Sequence, residues 1–123
     1  MVERQDPFEV WGTGEDIRDL IYIEDFMDGL FAAFQSTDPY LEINICSGTG
    51  VSVRDILQAA IEVDGFTNAN VRYDRSKPST VPVRRLGNKL AKEKLGFEAK
   101  TDLRSGLEST LRWYRANAAE CAA

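Results

Sequence analysis

The spacing of the apolar residues changes repeatedly along this 123-residue chain, and this alternation limits the folds that it can adopt. Residues 16–24 and 41–46 have the β-branched or alternating patterns of strands. Residues 26–36 instead repeat their apolar side chains every three or four positions, as one face of a helix does. Strand and helix patterns in this order predict an α/β or α+β fold, and the length allows at most one domain.

The remaining elements are predicted from the same patterns and from their end signals. Short strands are expected at 8–11 and 70–73, and helices after Ser52, over 88–95 and from Asp102. Asp25 is predicted to cap the helix over 26–36, because Asp is a favoured N-cap residue. Gly65 and Gly96 are expected to end two helices, and the prolines within 77–82 predict an extended loop. We predict one domain over 8–117, with a tail at 1–7 and a frayed tail at 118–123.

The net charge of −5 disfavours nucleic-acid binding through a broad basic surface. Positive charge is nevertheless concentrated in residues 72–94, where only Asp74 and Glu93 oppose eight basic residues: Arg72, Arg75, Lys77, Arg84, Arg85, Lys89, Lys92 and Lys94. A local basic strip on an acidic protein suits a small anionic ligand better than a long polyanion. For the three lysines at 89–94, a solvated helix face is the favoured interpretation.

The chain contains two cysteines, Cys46 and Cys121, and no histidine. The cysteines form no metal-ligand pattern, and Cys46 in its apolar run is expected to be a buried thiol. Without histidine, most zinc sites and histidine-based acid–base catalysis are excluded, and we predict no metal site. No signal peptide or membrane-length apolar run is present, so we expect a cytoplasmic protein without membrane contact.

Two apparent enzyme motifs fail when their structural context is considered. Tyr73 and Lys77 have the Tyr-x-x-x-Lys spacing of short-chain dehydrogenases, but Pro78 disfavours the helix that this chemistry needs. Gly48-Thr-Gly50 lies between strand and helix patterns, but the third glycine of a dinucleotide fingerprint is replaced by Val53. A tight turn before a capped helix is the favoured interpretation of that segment. We therefore assign no catalytic residue in this chain.

The most informative segment is Val10-Trp-Gly-Thr-Gly-Glu-Asp-Ile-Arg-Asp-Leu-Ile-Tyr-Ile-Glu-Asp25. Arg18 is a lone base in acidic, apolar surroundings, which favours a structural ion pair. Its planar guanidinium also suits bidentate binding of a diphosphate. Trp11, taken alone, is more typical of a core residue than of a ligand-stacking one.

This segment resembles the Val-Trp-Gly-x-Gly-x-x-x-Arg-Glu-Phe-x-x-Val-Asp-Asp motif of extended short-chain dehydrogenases/reductases, most closely in the GDP-L-fucose synthase branch. The resemblance continues in order through further motifs: Asn44-Ile-Cys-Ser-Gly-Thr-Gly50, Ser76-Lys-Pro78, Pro82-Val-Arg-Arg85, Leu95-Gly-Phe97 and Trp113-Tyr114. It covers nearly all of residues 8–117. The implied fold is the C-terminal substrate-binding portion of such a protein, with the last strand and helix of its Rossmann sheet.

The resemblance also implies roles for five residues in binding a nucleotide sugar. Arg18 matches the arginine that holds the diphosphate, and Trp11 matches a tryptophan that lines the substrate pocket. Lys77 matches the lysine of the Lys-Pro loop. Arg84 or Arg85 matches a second arginine near the ribose-diphosphate, and Arg84 is preferred.

Two positions depart from the GDP-fucose synthase pattern and leave the nucleotide base open: Ser79 replaces an acidic residue, and Gly87 replaces an aspartate. The family's glycine-rich cofactor loop and catalytic Ser/Thr, Tyr and Lys have no counterpart in this chain. Family members use NAD(P), so the resemblance implies that this chain alone binds no cofactor and has no epimerase, dehydratase or reductase turnover.

The family's elements corresponding to 26–36 and 41–46 belong to its cofactor domain. The resemblance therefore implies an apolar surface that a second copy or a missing Rossmann half covers. Two alternatives stay open: a non-catalytic interaction or oligomerisation module, and one subunit of a split enzyme.

Overall fold

The computed structural model describes residues 6–78 and 81–121, with side chains up to Ala118. Most of the predicted tail at 1–7, residues 122–123, and Ser79 and Thr80 of the predicted loop lie outside the described residues. In chain order the elements are β1 (Phe8–Trp11), β2 (Ile17–Asp19), α1 (Ile23–Phe34), β3 (Gly50–Ser52), α2 (Val53–Asp64), β4 (Val71–Asp74), β5 (Val83–Arg84), α3 (Lys89–Leu95) and α4 (Leu103–Cys121). The predicted mixture of strands and helices is confirmed.

The strands form two small sheets. In each sheet, an early strand (β1 or β2) pairs in parallel with a later strand (β4 or β5). β1 and β4 pair in parallel, from Phe8 beside Val71 to Trp11 beside Asp74. β2 is the middle strand of the second sheet, antiparallel to β3 and parallel to β5. The connection after β1 leads to β2, and the connection after β4 leads to β5. These two connections therefore begin and end as neighbours.

The main core lies between α2 and the β1–β4 sheet. Val10, Leu57 and Ile61 are buried there, with partly buried apolar residues of both strands packed around them. The predicted cap of α2 is confirmed: the Ser52 hydroxyl oxygen accepts from the Asp55 N–H at 3.1 Å. Such a cap satisfies one of the N–H groups that a helix start leaves without a partner.

Helix α4, the longest element at 19 residues, packs along α2. An ion pair joins the half-exposed Arg115 of α4 to the buried carboxylate of Asp64 at the end of α2. Leu111 of α4 is buried. The helix is kinked at Asn117, whose φ and ψ are not helical. Among the described residues, no helix is long and apolar enough to cross a membrane.

The prediction for the start of α1 is wrong. The helix begins at Ile23 instead of Phe26, and its N-cap is Tyr22, which makes no side-chain capping bond. Asp25 lies inside the helix and is buried, where its carboxylate accepts from the N–H groups of Lys100 (3.1 Å) and Thr101 (2.8 Å). Because these N–H groups occupy the carboxylate, Asp25 joins α1 to the start of α4 instead of capping its own helix. The predicted strand at 16–24 accordingly shrinks to β2.

The predicted strand at 41–46 is also wrong. Burial does alternate along this segment, and its last residue, Cys46, is almost fully buried. A strand additionally requires a neighbouring backbone with which to exchange hydrogen bonds. None of the described segments pairs with residues 41–46. The segment therefore has the alternating burial of a strand but no hydrogen-bonded partner strand.

Helix α1 carries an exposed apolar stripe on the face predicted from its spacing. The stripe consists of Ile23, Met27, Leu30, Phe31 and Phe34, whose exposed fractions range from 36% to 88%. The opposite side of the helix packs closely, since a Cβ on Gly29 would lie 2.6 Å from the Ile45 side chain. The expected apolar surface is thus present on α1.

We predict that Asp102 makes stability depend on pH on the acid side. Hydrogen bonds from the Ser105 N–H (3.0 Å) and hydroxyl (2.7 Å) hold the pKa of Asp102 below its usual value of 3.8. A depressed pKa in the folded state adds stability that is complete above the unfolded-state pKa. That stability is lost as pH falls through the folded-state pKa, below 3.8.

Urea unfolding at several pH values checks this prediction. The difference in unfolding free energy between wild type and Asp102→Asn should shrink below pH 3.8. Asp28→Asn, on the exposed side of α1, controls for the removal of one negative charge. A difference for Asp102→Asn that stays constant across the acid range would contradict the prediction.

Candidate functional site

The first part of the candidate site lies where β1 and β4 end side by side. Trp11 is the last residue of β1 and is 66% exposed, and the Lys77 ammonium lies 5.6 Å from its ring centroid. The Gly12 N–H donates to the Asp74 carbonyl at 2.8 Å, which holds the two strand ends together. The interpretation of Trp11 as a core residue is therefore wrong. Its exposed ring and the neighbouring cation form an amphipathic surface at the strand ends.

Tyr73 and Lys77 lie in different surroundings despite their Tyr-x-x-x-Lys spacing. Tyr73 lies on β4, Lys77 follows in a turn, and the two do not share a helix. The Tyr73 ring instead lies 5.1 Å below the Arg54 guanidinium, while Lys77 lies over Trp11. In the same turn the pKa of Asp74 is lowered by hydrogen bonds from the Ser76 hydroxyl and N–H and by the Lys77 charge. The expectation that Tyr73 and Lys77 do not share a helix is confirmed, and the absence of a catalytic role stays a prediction.

Arg18 is the half-buried centre of the second part of the site. Its guanidinium Nη1 donates to the carbonyls of Ile17 and Val81, both at 2.8 Å. Its Nη2 forms an ion pair with Asp16 at 3.1 Å. The predicted structural ion pair is therefore present. Of the five N–H groups of an arginine, the Nε–H of Arg18 has no acceptor among the described residues, so part of the guanidinium is free for a ligand.

The second arginine group lies directly beside Arg18. Arg18 and Arg84 are register partners in the parallel pair of β2 and β5. Both Arg84 and Arg85 are exposed, and no carboxylate pairs with either in the described part of the chain. The Arg85 stem packs along Gly50, where an added Cβ would lie 3.1 Å from the Arg85 Cδ. The sheet thus brings Arg18 and Arg84 together, and Arg85 follows at the end of β5.

The Gly48-Thr-Gly50 segment is a turn that already holds a carboxylate. Asp19 accepts from the N–H of Ser47 (3.0 Å), the N–H of Gly48 (3.0 Å) and the Ser47 hydroxyl (2.7 Å). Gly48 has a left-handed φ of 75°. The helix after this turn is capped by Ser52. A tight turn before a capped helix is thus confirmed, and its N–H groups at 47 and 48 already donate to Asp19.

Other sequence predictions have simple structural outcomes. Each lysine at 89–94 is exposed and has a carboxylate neighbour: Lys89–Glu93, Lys92–Glu98 and Lys94–Asp38. The solvated-face interpretation is therefore confirmed.

Cys46 is 2% exposed, and burial, with the nearby Asp19 charge, raises the pKa of its thiol. A thiol with a raised pKa is a poor nucleophile at neutral pH.

A separate cavity of about 470 Å³ is lined by none of the five predicted site residues. It is bounded by the segment after β2, the turn before β3 and the first half of α4. Its lining includes Tyr22, Thr49, Lys100 and Leu107. Among the described residues, no group of three or more His, Cys, Asp or Glu could hold a metal ion.

Sequence reasoning missed two residues that shape the arginine group, Asp19 and Asn88. Asp19 holds the Ser47–Gly48 turn, and the Asn88 side-chain amide donates to the Ser47 carbonyl at 3.3 Å. Both residues are ordinary polar residues in the sequence. The one available signal was the position of Asp19 directly after Arg18, which strand alternation assigns to the opposite face.

This chain is similar to proteins that are named as nucleotide-sugar enzymes. The model of the NAD dependent epimerase/dehydratase family matches residues 1–46. The chain is 31% identical over 108 residues to probable GDP-L-fucose synthase 1 of Oryza sativa subsp. japonica. That match covers 88% of this chain and 32% of the rice protein, so the chain spans about a third of the length of this curated relative.

Solved structures of such proteins are similar to this chain as well. The UDP-glucose 4-epimerase of Thermotoga maritima, solved with UDP-glucose, is similar at a TM-score of 0.84 and 29% identity. The match covers 96% of this chain and 37% of the epimerase chain. MoeE5, solved with UDP-glucuronic acid and NAD, has a TM-score of 0.77 and 27% identity, covering 91% of this chain and 38% of its own.

We predict that Gly48→Ala destabilises the protein more than Gly65→Ala does. Both glycines have a left-handed φ, 75° and 70°, which costs a residue with a Cβ roughly 1–2 kcal/mol. At Gly48 the added Cβ would also lie 2.6 Å from the Asn88 Nδ2, whereas at Gly65 nothing lies within 4 Å. Chemical denaturation measures both losses. Equal losses would show that the contact with Asn88 carries no weight.

Proposed function

We propose that this chain, which belongs to the NAD-dependent epimerase/dehydratase family of extended short-chain dehydrogenases/reductases, binds the diphosphate of a nucleotide sugar. One observation carries the proposal: Arg18 and Arg84 are register partners on adjacent strands, and Arg85 follows directly. A nucleotide-sugar diphosphate carries about two negative charges and accepts paired N–H donors from guanidinium groups. Neighbouring arginines with free N–H groups suit such a ligand.

The exposed Trp11 and Lys77 extend the proposed site along the chain. The connection from Trp11 to Arg18 and the one from Lys77 to Arg84 begin as neighbours and end as neighbours, because both join the same parallel strand pairs. A ligand bound at the arginines can therefore extend towards the tryptophan face. We propose that Trp11 lines the substrate pocket and that Lys77 adds a positive charge there.

We also propose that these residues do not complete an enzyme by themselves. The Tyr73–Lys77 spacing lies outside a helix, and the N–H groups of the Gly48 turn donate to Asp19. A second anion such as the pyrophosphate of NAD(P) would have to displace that carboxylate, so these residues do not fit the cofactor. The catalytic groups and the cofactor loop would come from another part of the protein or from another chain, and the isolated 123 residues should give no turnover.

GDP and UDP are both candidate nucleotides for this site. GDP and UDP occur in the names of relatives with similar identity, 31% and 29%. The cytoplasmic location expected from the sequence also stays a prediction.

We predict that the chain binds a nucleoside diphosphate and that Arg84→Ala weakens binding by about ten- to a hundredfold. This range corresponds to a hydrogen bond to a charged group, roughly 1.5–3 kcal/mol. Arg18→Ala should weaken binding at least as much, but it also removes contacts to Val81 and Asp16. Arg84 makes no such side-chain contact among the described residues and gives the cleaner comparison.

Calorimetric titration with GDP, UDP, dTDP and their sugars measures these affinities. Arg112→Ala, which removes an exposed arginine of α4, is the matched control and should leave affinity unchanged. Wild-type protein that binds none of these ligands would contradict the proposed function. Equal losses of affinity in the Arg84 and Arg112 variants would show that the ligand is attracted only by nonspecific positive charge.

A second proposal concerns assembly. The exposed stripe of Ile23, Met27, Leu30, Phe31 and Phe34 on α1 is the kind of contiguous apolar surface that a second copy or a cofactor-binding half covers. Such coverage suits both an oligomerisation module and one subunit of a split enzyme. The stripe favours association of some kind, and the choice between these partners stays open.

We predict that the isolated chain self-associates and that Phe31→Glu reduces this association. Phe31 is 59% exposed within the stripe, and a charge there would have to be desolvated on association. Trp113→Glu is the matched control, since Trp113 is 60% exposed but lies on α4. Sedimentation equilibrium over a range of concentrations gives the mass. A monomeric wild-type chain at all concentrations would contradict self-association.

A further inference from the structure

The Ser47–Gly48 turn contacts both chain segments that carry the arginine group. On one side, Asp19 at the end of β2 accepts its two N–H groups and the Ser47 hydroxyl at 2.7–3.0 Å. On the other side, the Ser47 carbonyl accepts from the Asn88 amide at 3.3 Å. One turn thus connects the strand that carries Arg18 with the residue that ends the segment after β5.

The contact with Asn88 is close as well as polar. A Cβ on Gly48 would lie within 2.6–3.0 Å of three atoms of the Asn88 side chain. Two residues further on, a Cβ on Gly50 would lie 2.7 Å from the Ile17 side chain and 3.1 Å from the Arg85 stem. The same short segment therefore packs against β2 and against the end of β5.

We propose that Asp19 is a positioning residue that sets the relative placement of Arg18 and Arg84 by anchoring the Ser47–Gly48 turn. The proposal rests on the proposed function, because it concerns the geometry of the same arginine group. Asp19 does not itself face the ligand, since alternation along β2 assigns Arg18 and Asp19 to opposite faces.

Asp19 can anchor the turn because it is charged and because it accepts several hydrogen bonds from the turn. A carboxylate accepts three hydrogen bonds here, and hydrogen bonds to a charged group are stronger than neutral ones. Asp19 is also the register partner of Gly50 in the antiparallel pair of β2 and β3. Loss of the carboxylate therefore releases the turn at the position where β2 and β3 pair.

Asp19→Asn is the informative variant, because it keeps the size of the side chain and removes its charge. The amide has one acceptor oxygen where the carboxylate has two, so it cannot reproduce both contacts that Asp19 makes through Oδ1 and Oδ2. Asp102→Asn is the matched control, since Asp102 likewise accepts from the N–H and the hydroxyl of a serine, Ser105. Asp102 lies at the start of α4, outside the arginine group.

The experiment first measures the NMR signals of the two arginine side chains without any ligand. In ¹⁵N NMR spectra, the Nε–H signals of Arg18 and Arg84, assigned with Arg18→Lys and Arg84→Lys, should shift or broaden in Asp19→Asn. They should stay unchanged in Asp102→Asn. Titration with GDP and UDP then measures binding at a temperature at which all variants are folded. Affinity should fall at least about tenfold in Asp19→Asn only, as happens when the supporting partner of a binding residue is removed.

Each outcome decides one claim. Unchanged arginine signals in Asp19→Asn would overturn the positioning role. Changed signals together with no nucleotide binding by wild type would support the positioning role and contradict the proposed function. If Asp19→Asn does not fold, Ser47→Ala removes only the hydroxyl donor to Asp19 and serves instead. Smaller shifts of the same two signals would then support the role, and unchanged signals would overturn it.

Discussion

The candidate site depends on two parallel strand pairs that bring two distant stretches of chain together twice. Residues 8–11 pair with 71–74, and 17–18 pair with 83–84. Trp11 consequently lies near Lys77, and Arg18 lies beside Arg84, although more than 60 positions separate the members of each pair. The site is thus a product of backbone pairing, to which side-chain chemistry adds charge. An acidic chain concentrates arginines at and beside one sheet, and such concentration favours a small anion.

Local signals in the sequence were sufficient for most elements, because those elements depend on short-range physics. Ser52 caps α2, and Gly65 and Gly96 end α2 and α3 in the left-handed conformation. Asp25 is an exception. Its residue type favours a helix cap, but in the structure it accepts hydrogen bonds from N–H groups 75 and 76 positions away. Nothing local in the sequence identifies such a long-range donor.

Among the site residues, some were also identified from the sequence and others only from long-range contacts in the structure. Arg18, Arg84, Arg85, Trp11 and Lys77 were predicted from motif resemblance, and the sheets explain which of them are neighbours. Asp19 and Asn88 carry no motif, and their importance follows only from the turn that both contact. The segment at 41–46 has alternating burial without a partner strand, and the stripe on α1 has helical spacing without a covering surface. Both patterns are those of elements that pack against further protein.

A crystal structure of the chain with bound GDP or UDP tests the central claim most directly. We expect diphosphate oxygens within hydrogen-bond distance, about 2.7–3.2 Å, of the guanidinium groups of Arg18 and Arg84, with the ligand extending towards Trp11. A diphosphate bound elsewhere, for example in the cavity lined by Tyr22 and Lys100, would contradict it.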